Sequence, residues 1–173
     1  GIVTPKAIKG ASTVSNTLNG TNLNDVLIGN IGVDTISGLG GNDILTGGLG
    51  GDSLTGGTGA DLFVYNGLTD SLVANPDTLI GFNQVEGDRF RILSGNPTAL
   101  VERGTVAGAN LTAAATTAFA GIGAGAAGFF TWNSGRYLGI NNGTAAFSAA
   151  ADLVANITGL TPAPVLSVGN YFV

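Results

Sequence analysis

Between Gly20 and Val64 a large apolar residue returns every nine positions: Leu27, Ile36, Leu45, Leu54 and Phe63. Aspartate keeps the same period two places earlier, at Asp25, Asp34, Asp43, Asp52 and Asp61. Glycine keeps it five places before each aspartate, at Gly20, Gly29, Gly38, Gly47 and Gly56. A further glycine lies two places before four of the aspartates, at Gly32, Gly41, Gly50 and Gly59. A nine-residue period does not match the 3.6-residue repeat of a helix, and glycine at this density would cost a helix about 1 kcal/mol per residue. The pattern predicts short strands of about three residues joined by glycine-rich turns of about six, with the apolar residue pointing inward and its neighbours outward. Two nonapeptides then make one coil. Residues eighteen apart stack, which puts Asp25, Asp43 and Asp61 on one edge and Asp34 and Asp52 on the other.

That stacking creates an electrostatic conflict. Neighbouring strands lie about 4.8 Å apart, so carboxylates on successive layers repel one another and raise each other's pKa. A cation between layers removes the conflict. The donors on offer are carboxylates and the carbonyls of glycine-rich turns, an all-oxygen set that suits Ca²⁺ better than the more demanding Mg²⁺.

Composition narrows the alternatives. Only 10% of the residues are charged, the formal charge is -5, and the six basic residues (Lys6, Lys9, Arg89, Arg91, Arg103, Arg136) are scattered, which argues against nucleic acid. The absence of Cys and His leaves no thiol nucleophile, no zinc-thiolate site and no Ser-His-Asp triad. No stretch is apolar enough to read as a membrane span. No carboxylate pair is positioned for glycoside cleavage, and no HExxH or GxSxG occurs, so the chain is not expected to be an enzyme.

The nonapeptides follow the pattern G-G-x-G-x-D-x-U-x, in which Gly47–Thr55 and Gly56–Val64 match in full. Gly29–Ser37 has Asn30 and Gly38–Thr46 has Leu39 at the second glycine, and Gly20–Ile28 has Thr21 there and Leu23 at the third. The chain thereby resembles the RTX (hemolysin-type) calcium-binding nonapeptide-repeat proteins, whose repeats form parallel β-rolls. The resemblance implies that Asp25, Asp34, Asp43, Asp52 and Asp61 hold Ca²⁺ in pairs two repeats apart. The turns carrying Gly29, Gly38, Gly47 and Gly56 with Gly32, Gly41, Gly50 and Gly59 would complete the shells, giving about three ions in the roll. The intact turns rank Asp34/Asp52 and Asp43/Asp61 ahead of Asp25/Asp43. Asn16, at the aspartate position of a degenerate first repeat, offers an oxygen but no charge.

Beyond Val64 the period stops. Asp70-Ser71, the run Asp77-Thr78-Leu79-Ile80-Gly81-Phe82, and Gly87-Asp88 are similar to the segment that follows the roll in secreted RTX enzymes. Asp70, Asp77, Glu86 and Asp88 are either the ligands of one further ion or solvated turn residues. Leu93–Ala109 reads as loop and strand. Asn110–Ala120 reads as a short helix capped by Asn110 or as irregular packing on a sheet. Phe129–Trp132 and Arg136–Ile140 form a hairpin across Asn133-Ser134-Gly135, Asn142-Gly143 marks another turn, and Asp152–Thr158 and Leu166–Val173 are strands, with Pro162 and Pro164 between them. Asn170-Tyr171-Phe172-Val173 resembles the uncleaved C-terminal tail of some type I secretion substrates.

The expected fold is all-β: a leader over 1–15, an RTX parallel β-roll over 16–65, and over 66–173 a C-terminal antiparallel β-rich cap with room for one short helix. The expected function is a secreted bacterial calcium-binding protein, extracellular or at the cell surface, folded by external Ca²⁺ after passage through the type I secretion machinery. Two other functions are weighed beside it. One is a self-assembling surface-layer or filament subunit joined through the C-terminal region, where Arg136 and Asp152 are the only charges after Leu111. The other is a non-catalytic module of a larger secreted enzyme or adhesin.

Overall fold

In a computed structural model the described residues are 4–141, 146–157 and 168–173. Nine short strands build the roll: β1 (Ala7–Lys9), β2 (Thr17–Asn19), β3 (Val26–Ile31), β4 (Thr35–Gly40), β5 (Ile44–Leu49), β6 (Ser53–Thr58), β7 (Leu62–Tyr65), β8 (Asp77–Ile80) and β9 (Arg89–Ile92). Odd strands pair in parallel as one sheet, β1-β3-β5-β7-β9, and even strands β2, β4, β6 and β8 pair in parallel in the other. Leu27 registers with Leu45 and Ile36 with Leu54, so each coil is two nonapeptides, as the eighteen-residue stacking requires. β3 to β6 are six residues long rather than three. Between β3 and β5 and between β4 and β6 the pairing breaks at the first glycine of the turn and then resumes, Asn30 on Gly48 and Ile31 on Leu49 in the first pair and Leu39 on Gly57 in the second. The chain therefore bends at glycine while staying in the ladder, and half of each expected turn is paired strand.

The roll is longer than its nonapeptides. β1 lies in the stretch expected to be a leader and pairs with β3. β8 and β9 lie in the stretch expected to be cap, yet β8 stacks on β6 and β9 on β7. The inward column runs Leu18, Leu27, Ile36, Leu45, Leu54, Phe63, Leu79, Phe90, all buried. Burying each such side chain stabilises the fold by about 1.5–3 kcal/mol.

The cap prolongs one sheet. β13 (Leu153–Ile157) adds to β8 in parallel, β12 (Gly135–Ile140) to β13 and β11 (Ala126–Trp132) to β12 antiparallel, and β10 (Ala99–Thr105) to β11 in parallel. The cap is thus mixed rather than purely antiparallel. The hairpin turn is Asn133-Ser134 alone, both at positive φ, with Trp132 facing Gly135, the two-residue turn whose twist suits a hairpin. Helix α1 (Leu111–Phe119) forms, capped by the Asn110 side chain accepting from Ala113 N–H at 2.9 Å. It packs Ala114, Ala115, Ala118 and Phe119 against Phe130, Tyr137 and Val154. Gly139 is required there, because a β-carbon would strike the Phe119 ring.

The strand expected over Leu166–Val173 is not found in its described part. Val168–Tyr171 is a helical turn, α2, and Phe172 alone bridges Phe90. Tyr171 and Phe172 are 1% and 4% exposed. A strand would send these neighbours to opposite faces, whereas the turn lets both enter the core and cover β9. The Asn142-Gly143 turn, Thr158, and Pro162 and Pro164 lie outside the described residues.

Candidate metal centre

The ladder aspartates are almost fully buried, none more than 2% exposed. The fold places each where its Oδ1 accepts a backbone N–H from the coil before: Asp25 from Lys6, Asp34 from Asn16, and the later rungs from the preceding aspartate of their edge. Asp25 N–H donates to Asp43 (2.7 Å), Asp34 N–H to Asp52 (2.8 Å) and Asp43 N–H to Asp61 (2.9 Å). The rungs continue where the sequence period has ended. Asp52 N–H donates to Asp77 and Asp61 N–H to Asp88, both at 2.9 Å, although these pairs are 25 and 27 residues apart rather than 18. Loop 66–76, with a 3-10 turn at Leu68–Asp70, absorbs the insertion before Asp77. The signal that survives in the sequence is the tetrad D-x-U-x itself: Asp77-Thr78-Leu79-Ile80 and Asp88-Arg89-Phe90-Arg91.

The second carboxylate oxygen divides the rungs. In Asp34, Asp43, Asp52, Asp61 and Asp77, Oδ2 is buried and has no hydrogen-bond partner. In Asp25 it accepts from the Thr21 N–H and hydroxyl, and in Asp88 from Asn83 N–H at 2.8 Å. Backbone conformation explains the contrast at Asp25. The second residue of the four other nonapeptide turns is left-handed: Asn30 (φ 89), Leu39 (φ 78), Gly48 (φ 103) and Gly57 (φ 110). Thr21 is not left-handed, and its N–H closes on its own aspartate.

Each open Oδ2 in the regular turns lies against the bare α-carbon of its own first glycine. A glycine carbonyl from the next coil shares that side: Gly47 O beside Asp34 at Gly29, and Gly56 O beside Asp43 at Gly38. A β-carbon at either glycine would collide with these oxygens. The carbonyls of Asn30 and Gly32 stand under Gly48 and Gly50, and those of Leu39 and Gly41 under Gly57 and Gly59. Among the described residues no three His, Cys, Asp or Glu side chains gather at one point, so any cation must take most of its ligands from such carbonyls. A buried carboxylate oxygen without a donor, beside main-chain carbonyls, fits a hard divalent cation. When bound, Ca²⁺ supplies the positive charge these buried rungs lack.

Titration follows the same division. Burial, with the Asp61 and Asp25 charges added, pushes Asp43 up to about 6. Burial with Asp34 and Asp70 does the same for Asp52, and with Asp88 and Glu86 for Asp61, each to about 6. Asp77 rises to about 8, chiefly through burial and then through Asp52. Burial also raises Asp88. Burial pushes Asp25 upward too, but hydrogen bonds from the Lys6 N–H and from Thr21 outweigh it and hold Asp25 below the usual range.

The remaining expected ligands are placed as follows. Asn16 occupies the rung below Asp34, where its amide donates to Asp34 Oδ1 (2.8 Å), Val14 O (2.7 Å) and Gly29 O (3.3 Å), while its oxygen accepts from Ala11 N–H (3.0 Å). Amide donors there do what a cation would do higher up. Asp70 accepts from Asn66 N–H at 2.7 Å outside the ladder, and Glu86 accepts from Gly59 N–H at 3.3 Å.

Residues 19–54 and 38–72 match the family model of the RTX calcium-binding nonapeptide repeat, in four copies. These residues are RTX calcium-binding repeats, and the chain is a strand-rich protein built on a parallel β-roll. Among solved structures it is similar to the solution structure of the AlgE6R3 subunit from the Azotobacter vinelandii mannuronan C5-epimerase. The identity is 22%, the TM-score 0.55, and the match covers 86% of this chain and 73% of that one. No curated protein matches the chain. No helix of the described residues is long and apolar enough to cross a membrane.

Proposed function

We propose that this chain is a secreted, non-catalytic structural module whose folding is driven by external Ca²⁺. One observation carries the reading: a column of buried aspartates each keeps one oxygen without a protein donor. Such a column is unfavourable while ionised and becomes favourable when a cation binds the folded form only, which is ordinary linkage. At low cytosolic calcium the glycine-rich chain stays open, fit for a type I exporter. At millimolar external calcium it closes, at the surface or in the matrix of a bacterial cell. Tyr171 and Phe172, part of the tail that resembles a secretion signal, are buried against the core, so a tail-reading exporter would meet them only in the open chain. The test is circular dichroism and thermal melting of EGTA-stripped protein during Ca²⁺ titration. A gain of β structure and of melting temperature is expected; the same spectrum and melt at every calcium concentration would refute the reading.

A second function, self-assembly, has an observation of its own. After Leu111 the only charges are Arg136, bound by Glu102, and Asp152, 0% exposed, so the cap presents little charge to keep copies apart. The exposed large apolar side chains, however, lie mainly on the roll, where Val26 registers with Ile44 and Ile31 with Leu49. Sedimentation in millimolar Ca²⁺ decides the matter: concentration-dependent growth in mass supports assembly, and a monomer at all concentrations rules it out. The same features suit a folding module of a larger secreted enzyme or adhesin.

A further inference from the structure

The outward residues differ between the two sheets of the roll. Even strands open on a hydroxyl, Thr17, Thr35 and Ser53 stacked in register. Across the odd sheet one outward column runs Ala7, Val26, Ile44, Leu62, Arg89. The other holds Lys9, Ile28, Thr46, Val64 and Arg91. The middle strands β3, β5 and β7 thus contribute aliphatic side chains, Thr46 apart, and the end strands contribute Lys9 on one side and Arg89 and Arg91 on the other. Four strand spacings of about 4.8 Å put those ends about 19 Å apart. Val26 and Ile44 are each more than a third exposed. Ile31 and Leu49, nearly half exposed, line one hollow with Ile28 and Thr46, which widens the aliphatic middle. The fold therefore gathers on one face half of the six basic residues that are scattered in the sequence. The ion pair among the described residues is Arg136 with Glu102, so these three bases are in none. The acids around the face have other partners. Asp70, beside Ile28 and Thr46, is buried and accepts Asn66 N–H, and Glu86 accepts Gly59 N–H. The rungs Asp25, Asp43, Asp61 and Asp88 are buried, and bound calcium would meet their charge.

We propose that the outer face of the odd sheet docks on an anionic lipid bilayer, with Val26, Ile44 and Leu62 entering the headgroup boundary and Lys9, Arg89 and Arg91 holding lipid phosphates. An aliphatic middle with a cationic rim is what such a boundary accepts. A second copy does not fit: a twofold axis in the plane of the sheet lays β1 on β1 or on β9, and cation meets cation either way. A soluble polyanion would leave the aliphatic middle uncovered, and neither column offers an aromatic ring for stacking. The inference rests on the calcium-driven folding proposed above, because rungs left ionised beside the face would repel the lipid.

Flotation of the whole chain with vesicles in millimolar Ca²⁺ tests this. Vesicles of phosphatidylglycerol and phosphatidylcholine are expected to carry the protein, and vesicles of phosphatidylcholine alone to leave it behind. Arg91→Gln is expected to weaken binding about fivefold and the double change with Arg89→Gln about twenty-five-fold, as about 1 kcal/mol per base near an anionic surface implies. Ile44→Thr, which places there the residue that β4 carries at Thr35, is expected to keep the unaltered circular dichroism and to weaken binding several-fold; if it does not fold, Val26→Thr takes its place. Calcium bridging alone would leave the arginine variants bound as the unaltered protein is, and that result overturns the proposal. A soluble polyanion as the true partner would leave the threonine variant unaffected while dextran sulfate displaces the vesicles, which also overturns it. Circular dichroism of the same samples separates the failures. Absence of calcium-driven folding refutes the function proposed above, whereas folded protein that stays off the anionic vesicles refutes the lipid surface alone.

Discussion

The backbone N–H of Asp43 donates to Oδ1 of Asp61 at 2.9 Å, while Oδ2 of Asp61 is buried and without a partner. One carboxylate thus has two duties. Its first oxygen ties one coil to the next, eighteen residues away. Its second is left over from the protein's own hydrogen bonding, next to Gly56. The structural bond and the cation site can therefore be separated by mutation.

Asp61→Asn separates them. Asparagine keeps an oxygen for Asp43 N–H and loses the charge. In EGTA the variant should melt higher than the unaltered protein, because a buried, repelling carboxylate is gone. In calcium it should gain less: losing one site removes about 2.7 kcal/mol at a hundredfold excess of ion over Kd. Thermal melts in the two buffers should cross over; a variant less stable in both would assign Asp61 a purely structural role.

Calcium-free protein should lose stability as pH rises from about 4 to about 6. Asp43, Asp52 and Asp61 have folded pKa values near 6 against 3.8 for the ordinary group. In that window the folded state holds more protons than the unfolded state, so unfolding free energy falls with pH. The contribution is whole below pH 3.8 and gone above 6, with Asp77 extending the decline toward 8. Melting temperature against pH in chelator checks the sign; a curve rising from pH 4 to 6 contradicts it.

Leu39→Gly should stabilise the protein. Leu39 is half-exposed at φ 78 where the full repeats have glycine, and a left-handed leucine costs about 1–2 kcal/mol. Part of the gain is offset by the greater freedom of glycine in the unfolded chain, leaving about 0.5–1 kcal/mol. The mirror change, Gly57→Ala, places a β-carbon on the Leu39 carbonyl and should destabilise. Denaturant titration of both variants should give opposite signs.

Ser71→Ala should cost about 1–3 kcal/mol. The buried hydroxyl accepts Asp77 N–H at 2.8 Å and donates to Val154 O at 2.7 Å, joining the last rung to β13. Alanine leaves both groups unmet. The measurement is urea denaturation in calcium, together with an ion count that should not change.

The periodic apolar residue, aspartate and glycine fixed the roll, its eighteen-residue register, the inward column and the identity of the five nonapeptide rungs. Each of those features is local: a turn that needs left-handed glycine, a single inward position in a short strand, and a carboxylate at constant offset from both. The same logic offered Asn110 as a cap, beside irregular packing on a sheet, and Asn133-Ser134-Gly135 as a turn, of which Gly135 belongs to the strand. Asp77 and Asp88 were legible as candidate ligands of a further ion but not as rungs of the ladder, because insertions shifted the spacing while β8 and β9 kept their places on β6 and β7. Nor was the helical turn at Val168–Tyr171, where the need to bury adjacent Tyr171 and Phe172 overrode the alternation of a strand.

Taken alone, the sequence determined that a column of aspartates would stack, since stacking follows from period. Which of those aspartates still lack a donor was decided only by the tertiary structure. That depends on whether Thr21 N–H, Asn83 N–H or no group at all reaches the second oxygen. A hydrogen bond of that kind is set by the φ of one turn residue and by the coil packed above it, and neither is written in the spacing of the repeat.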